Sequence, residues 1–348
     1  MAVVAVFFAA GMFIFVMEKI RQPVEVDGGY RQVMGTFARI TAVASQESQA
    51  RRCIETGFGE LNRIDAMMSD YKQDSQLSKV NREAFAGPVK VSPELFEILQ
   101  KSVEYSKLTN GAFDITVGPL VDLWHKAGKT NRMPDENTLA SAKARVGYEK
   151  LILDANEQTV RFAVEGMRLD LGAIAKGYAV DKAVEAMQRC GAAGGMVDAG
   201  GNIRCFGRHA NRKIWLIGLQ DPNTANNNVG LLHPEGSVET GHVSVVLKLE
   251  DMAVATSGDY RRFVVAGGKK VSHIIDTSTA TGANKLSSDT IIAAKAVDAD
   301  ALSTAVNVLG VEKGLALIES LNGVEAILIT AGPDYRVVKS RGIDLYLK

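Results

Sequence analysis

Asp170-Leu171-Gly172-Ala173-Ile174-Ala175-Lys176-Gly177-Tyr178-Ala179 is the stretch from which the architecture is most readily worked out. Val160 to Leu171 reads as a strand, Gly172 interrupts it, and Ile174 to Cys190 reads as a long helix closed by Gly191. Backbone N–H groups at such a helix start attract anions, and Lys176 adds a positive charge. The same residues also suit an ordinary strand-to-helix connection with a surface lysine.

Elsewhere, helical and extended patterns intermix without a βαβ rhythm. Ser45 to Met68 carries Cys53, Ile54, Phe58, Leu61, Ile64 and Met68 on one side at helical spacing. Ser92-Pro93 opens a helix that Asn110-Gly111 ends, and Asp135 to Val146 forms another. Val33 to Val43, Ile203 to Cys205, Val243 to Leu249, Ala253 to Ser257, Ser287 to Ala293 and Ala326 to Thr330 read as strands. Asp300 to Leu309 and Glu312 to Ser320 read as helices. The class expected is therefore α+β rather than a doubly wound parallel sheet.

The chain has 348 residues, with 40 basic side chains balanced by 40 acidic ones, so no net field favours nucleic acid as a partner. Three cysteines, Cys53, Cys190 and Cys205, show neither a C-x-x-C pair nor zinc-ligand spacing and read as small buried hydrophobes. Ala2 to Met17 is an unbroken apolar run followed by Glu18, Lys19 and Arg21. It lacks a basic segment before it and a small-residue cleavage site or lipoprotein cysteine after it. Residues 1–20 are expected to be a membrane anchor or uncleaved signal, residues 21–29 a linker around Pro23 and Gly28-Gly29, and residues 30–348 the folded domain.

Several segments carry residue types suited to chemistry. In Ala299-Asp300-Ala301-Leu302-Ser303-Thr304-Ala305, Asp300 and Thr304 are four apart, so a helix points a carboxylate and a hydroxyl the same way. Two hard oxygens among small residues suit a Mg²⁺ that keeps open positions for phosphate. They equally suit a tightly packed helix whose Thr304 bonds back to its own turn. Val197-Asp198-Ala199-Gly200-Gly201-Asn202 reads as an anion-binding nest or a tight hairpin. Ser272-His273-Ile274-Ile275-Asp276 offers His273 with Asp276 as an acid–base pair, or a histidine bonded beside a strand. In Gly111-Ala112-Phe113-Asp114, Phe113 could stack on a ring that Asp114 bonds, or plug the core. Ala127-Gly128-Lys129-Thr130 fails as a P-loop because Leu123 stands where the leading glycine belongs.

Taken in order, these blocks resemble the ApbE-type family of FAD:protein FMN transferases. The resemblance runs from Met34-Gly35-Thr36 through Met67-Met68-Ser69-Asp70-Tyr71, Gly111 to Asp114, Asp170 to Ala179, Val197 to Asn202, Ala255 to Tyr260, Ser272 to Asp276 and Ala299 to Ala305. It implies a T-fold-like α+β domain of mixed sheets with flanking helices. It implies that Met34, Tyr71, Ala112, Phe113 and Asp114 hold the flavin and adenine portions of FAD. Asp170, Lys176 and Ile274 would contact the dinucleotide. The Ala173 carbonyl would join Asp300 and Thr304 around Mg²⁺, with His273, Asp276 and Lys176 serving the chemistry. The family's Asp-Pro-x-Thr-Gly stands here as Asp276-Thr277-Ser278-Thr279-Ala280-Thr281-Gly282, longer and without the proline.

The reaction so implied is transfer of FMN from FAD to a Thr or Ser hydroxyl, with release of AMP. The acceptor would be a subunit of an exported or membrane redox system, and the catalytic domain would lie in the periplasm or be exported. Two rivals stand beside it: a hydrolase that shares the same residues and yields FMN and AMP, and a membrane-tethered flavin carrier without catalysis, which would not need the metal pair and Lys176.

Overall fold

The computed structural model describes residues 23–211, 214–220, 243–258, 263–332 and 336–348. The apolar N-terminal run and the Asp259-Tyr260 end of the Ala255 to Tyr260 block lie outside the described residues. In chain order the elements begin with β1 (Val24–Val33), β2 (Thr36–Ala44), α1 (Glu47–Met68), α2 (Gln76–Glu83), β3 (Val89–Lys90) and α3 (Pro93–Leu108). They continue with α4 (Gly118–Thr130), α5 (Glu136–Lys143), β4 (Leu151–Asp154), β5 (Thr159–Phe162), α6 (Ala175–Arg189), β6 (Gly194–Ala199) and β7 (Asn202–Gly207). Next come β8 (Trp215–Gln220), β9 (Val243–Leu249), β10 (Ala253–Gly258), β11 (Phe263–Ala266), β12 (Lys269–Ser272), β13 (Ile275–Asp276) and β14 (Thr281–Gly282). The last are β15 (Leu286–Ala293), α7 (Ala296–Leu309), α8 (Val311–Glu319), β16 (Glu325–Thr330) and β17 (Val337–Lys339).

An eight-stranded sheet in the order β1-β2-β6-β7-β10-β15-β16-β17 forms the frame. Each neighbouring pair is antiparallel, so the sheet is not mixed as expected. The cause is partly local: β1–β2 and β6–β7 are joined by two-residue turns, which force the chain back on itself. Side-chain alternation gives the sheet two buried faces. Ala255, Ile291, Ala293, Ala326 and Leu328 point to α7, packing with Ala299, Leu302 and Val306. Their neighbours Val254, Ile292 and Ile327 point the other way, under Trp215, Ile217, Leu247 and Leu249 of the β8–β9 ribbon. The α1 and α6 helices cover the rest of the first face.

Two local expectations are corrected. Residues 24–29, expected as part of a linker, belong to the edge strand β1, whose ladder to β2 shifts register between Asp27 and Tyr30. Gly28-Gly29 makes that irregularity rather than a linker, because a Cβ at Gly28 would meet Ile54 at 2.5 Å and a helix therefore packs closely over it. The expected strand from Val160 to Leu171 ends at Phe162. Beyond it the chain is irregular, held by Leu169 N–H to Asn81 Oδ1 (2.8 Å) and Asp170 N–H to the Ile115 carbonyl (2.8 Å). The helix ends predicted from Ser92, Pro93, Asn110 and Gly111 are present: Ser92 Oγ accepts from Leu95 N–H at 3.3 Å, and Asn110 and Gly111 take φ of 50° and 80°. All three cysteines are free thiols; Cys53 and Cys205 are buried, and burial with the neighbouring Cys190 pushes the Cys53 thiol up to about 12.

Candidate active site

The start of α6 meets the middle of α7, and that meeting builds the site. Gly177 makes it possible: a Cβ there would lie 2.3 Å from the Ala296 carbonyl oxygen and 2.8 Å from Asp300 Cβ. With only hydrogen at Gly177, the Asp300 carboxylate reaches the first turn of α6 and its Oδ2 accepts from Gly177 N–H at 2.9 Å. One of the N-terminal donors expected to draw an outside anion, Gly177 N–H, thus holds the protein's own carboxylate. Asp300 is buried, at 4% exposure.

Lys176 bridges the same corner. Its ammonium donates to the Gly172 carbonyl at 2.7 Å and approaches Asp300 Oδ1 at 3.5 Å. One cation therefore touches both the Gly172–Ala173 turn and Asp300. Asp170 shapes that turn, its Oδ1 accepting Gly172 N–H at 2.7 Å. Thr304, one turn along α7 from Asp300, is half-buried. Among the described residues no three His, Cys, Asp or Glu side chains converge to hold a metal ion. A divalent ion here would rest on one carboxylate plus neutral oxygens from Thr304 and Ala173. That donor set fits Mg²⁺, a hard ion that accepts one or two carboxylates and completes its shell with water and phosphate.

The α7 start is fixed from behind. Asp181 of α6 accepts from the N–H groups of Ala296 (2.9 Å) and Val297 (3.0 Å) and from Arg204 of β7 (2.7 Å). Burial raises the Asp181 carboxyl above its ordinary value, against the pull of Arg204 and the two N–H groups. Nothing in the local sequence marks Asp181 or Arg204 beyond a charge within an apolar pattern.

Other expected residues divide into those exposed at the surface and those committed to the fold. Tyr71 is 80% exposed. Its neighbour Asp70 accepts from Arg168 at 2.5 Å, and burial and then nearby Asp170 raise the Asp70 carboxyl. Arg168 also pairs with Asp122, so Asp70, Asp122 and Asp170 surround one guanidinium that the sequence did not single out. Met34 and Gly35 form the β1–β2 turn with φ of 51° and 66°. That turn lies against the β6–β7 turn, where a Cβ on Gly200 would touch Thr36 Oγ1 at 2.6 Å. The Val197 to Asn202 block is the tight hairpin of the two alternatives, with Gly200 and Gly201 at φ of 65° and 93°.

Phe113 is 1% exposed in the main core, edge-on to Tyr105 at 6.0 Å, so its ring fills the core. Asp114 is likewise internal: Oδ1 accepts from Thr116 N–H (2.8 Å) and Oγ1 (2.7 Å), and Oδ2 from Tyr148 N–H (2.9 Å). Burial raises its carboxyl despite these donors. Ala112 packs with Ile274, Ala283 and Val308, which brings two of the expected contacts together. A hydrogen bond from Thr277 Oγ1 to the Gly111 carbonyl (3.0 Å) ties the two segments.

His273 is exposed between buried Ser272 and Ile274. Asp276 is buried, and its Oδ1 accepts the N–H (2.8 Å) and hydroxyl (2.6 Å) of Ser278. Asp276 thus builds its own turn, which supplies the rigidity that a proline would otherwise lend. Ala280 closes the turn at φ 60°, donating to the Asp276 carbonyl at 2.7 Å, while its own carbonyl accepts from Trp124 Nε1 at 2.9 Å.

Comparison with known proteins agrees with this architecture. A profile described as the ApbE family matches residues 34–328. The FAD:protein FMN transferase of Haemophilus influenzae is 34% identical over 286 residues, 80% of this chain and 79% of that protein. That of Treponema pallidum is 33% identical over 326 residues, 89% and 86% of the respective chains. The crystal structure of the ApbE protein from Thermotoga maritima superposes with a TM-score of 0.80 at 30% identity, covering 94% of this chain and 100% of that one. The flavin transferase ApbE from Vibrio cholerae superposes with a TM-score of 0.77 at 28% identity, covering 93% and 100%.

Proposed function

The chain belongs to the ApbE family, and on that footing we propose that it transfers FMN from FAD to a Thr or Ser hydroxyl of an acceptor protein and releases AMP. The observation that carries this reading is the Asp300–Gly177–Lys176 corner, where a buried carboxylate and an ammonium meet at a helix start. Mere flavin binding gives no reason for a buried acid and a cation to be held together there.

In the proposed reaction the acceptor's hydroxyl oxygen bonds to the phosphorus on the FMN side of FAD. The bond from that phosphorus to the bridging oxygen breaks, and the bridging oxygen departs with AMP. Mg²⁺ held by Asp300, Thr304 and the Ala173 carbonyl would supply charge neutralisation at the pyrophosphate oxygens. Lys176 contributes fixed positive charge where negative charge grows on the leaving phosphate. His273, exposed beside Ile274, takes the acceptor's hydroxyl proton. Asp276 serves by holding the turn that follows His273. Tyr71, with its ring open to solvent, offers the flat apolar surface on which a flavin or adenine ring can stack.

The acceptor is proposed to be a subunit of an exported or membrane redox system, with the catalytic domain in the periplasm; the apolar run from Ala2 to Met17 supports membrane association or export. The test is incubation of the full chain with FAD, Mg²⁺ and a candidate acceptor, followed by denaturing electrophoresis and mass analysis. Flavin fluorescence that stays with the denatured acceptor, at the mass of added FMN, is the expected result. Free FMN without labelled acceptor would instead indicate hydrolysis, and FAD recovered intact would indicate a carrier.

A further inference from the structure

Asp289 on β15 and Asn307 on α7 are each 0% exposed. Asn307 Nδ2 donates to Asp289 Oδ2 at 2.8 Å. The remaining oxygens, Asp289 Oδ1 and Asn307 Oδ1, are both buried and have no hydrogen-bond partner among the described residues. Two orphaned oxygens are costly in a core, and here both belong to a pair already joined by one bond. A single proton on Asp289 resolves both. A carboxylic acid and a primary amide can close a two-bond ring, the amide N–H donating to one acid oxygen and the acid O–H donating to the amide oxygen.

Among the described residues, no charge on the surrounding elements replaces that proton. The registered neighbours of Asp289 are Ser257 on β10 and Leu328 on β16. On α7, Asp298 pairs with Lys101, and Asp300 faces Gly177 and Lys176. Glu325 of β16 bonds Ser340 and Gly342, and Lys285 donates to the Val308 carbonyl. Burial drives the Asp289 carboxyl well above its ordinary value, against the pull of the Asn307 hydrogen bond.

The ring has a neighbour. Ser257 and Ser303 share a hydrogen bond of 2.8 Å between β10 and α7, and Ser303 Oγ also donates to the Asp300 carbonyl at 3.0 Å. Ser303 and Asn307 form one i, i+4 row on α7, facing the sheet; Asp300 and Thr304 form the adjacent row. We propose that Asp289 is held as a neutral carboxylic acid closing a ring with Asn307, and that this ring, with the Ser257–Ser303 bond, sets the rotation of α7 and so positions Asp300 and Thr304. The positioning half rests on the flavin-transfer reading above; the protonation half does not.

The first test is infrared difference spectroscopy of the full chain against Asp289→Asn at neutral pH. A protonated carboxylic acid carbonyl band present in the wild type and missing from the variant is expected; its absence from the wild type overturns the proposal. The second is stability against pH. A carboxyl whose folded value is raised contributes fully below its unfolded value of ~3.9 and loses that contribution as pH rises through the folded value. Asp289→Asn can close the same ring with two amides and has nothing to ionise. Its stability should therefore fall less than the wild type's as pH rises; equal slopes overturn the proposal. The third is the apolar double variant Asp289→Leu/Asn307→Leu. The Mg²⁺ concentration giving half-maximal flavin transfer should rise about 10–100-fold with KM for FAD unmoved, whereas an unchanged Mg²⁺ requirement in the folded variant removes the positioning role. If the chain does not transfer flavin at all, the first two measurements still decide the protonation.

Discussion

Asp181 and Arg204 form a largely buried ion pair, 2.7 Å apart, and the same carboxylate caps the first two N–H groups of the helix that bears Asp300. The metal-binding candidate is therefore anchored by a residue on the helix it meets. Breaking a buried pair from one side leaves the other charge stranded, at a cost of about 3–5 kcal/mol. Asp181→Ala should lose stability on that scale in denaturant unfolding and lose flavin transfer with it. Asp181→Asn, which retains one cap acceptor, should lose less of both.

Gly177→Ala places a methyl group 2.3 Å from the Ala296 carbonyl oxygen. Overpacking of this kind costs about 1–3 kcal/mol. Thermal unfolding should show that loss. Transfer activity should fall further than stability alone explains, because α6 and α7 must separate and the Gly177–Asp300 bond lengthens. A variant with full activity and an unaltered melting temperature would contradict the close approach described.

Asp300→Ala and Lys176→Met remove the two charges of the site corner. Each is expected to lower kcat by about two to three orders of magnitude, the usual scale for a preorganised electrostatic contact. Thr304→Val should act differently, raising the Mg²⁺ concentration required for half-maximal rate while leaving the fold intact. Single-turnover rates measured across a Mg²⁺ titration separate these cases.

Met34 holds φ 51° in a turn position that glycine or asparagine occupies at lower cost. The left-handed conformation costs a residue with a Cβ about 1–2 kcal/mol. Met34→Asn should therefore raise the melting temperature. If the Met34 side chain holds flavin, KM for FAD rises in the same variant, an exchange of stability for function that equilibrium unfolding and steady-state kinetics can measure together.

Asp114→Asn tests the opposite assignment. The wild-type carboxylate accepts three bonds from Thr116 and Tyr148, and an amide cannot accept all of them. Stability should drop by about 1–3 kcal/mol with KM for FAD little changed at temperatures where the variant is folded. A large rise in KM without loss of stability would return Asp114 to the flavin-binding set.

Much of this was legible in the chain. Ser92 before Pro93, Asn110-Gly111 at a helix end and the period of Cys53, Phe58, Leu61 and Ile64 all announced elements that the structure contains. Asp300 and Thr304 were visible as a helical pair. Less legible were residues with two plausible readings. Phe113 looked equally suited to stacking on a ligand and to filling the core, and only its 1% exposure separates the two. Residues 24–29 read as a linker because glycines in a bulged edge strand and glycines in a linker are the same letters; the ladder to β2 tells them apart.

Sequence alone determined what acts over a few residues: helix caps, turns, face alternation and the α+β class, since backbone sterics and short-range hydrogen bonds are encoded in adjacent side chains. Tertiary structure decided which distant groups share a hydrogen bond. Gly177 and Asp300 are 123 residues apart, Arg204 and Asp181 belong to different layers, and Asp289 meets Asn307 only because α7 folds back over β15. A periodicity shows which side of an element is apolar, but the element that covers it, and the polar atom left opposite another, follow from strand order and close packing across the whole chain.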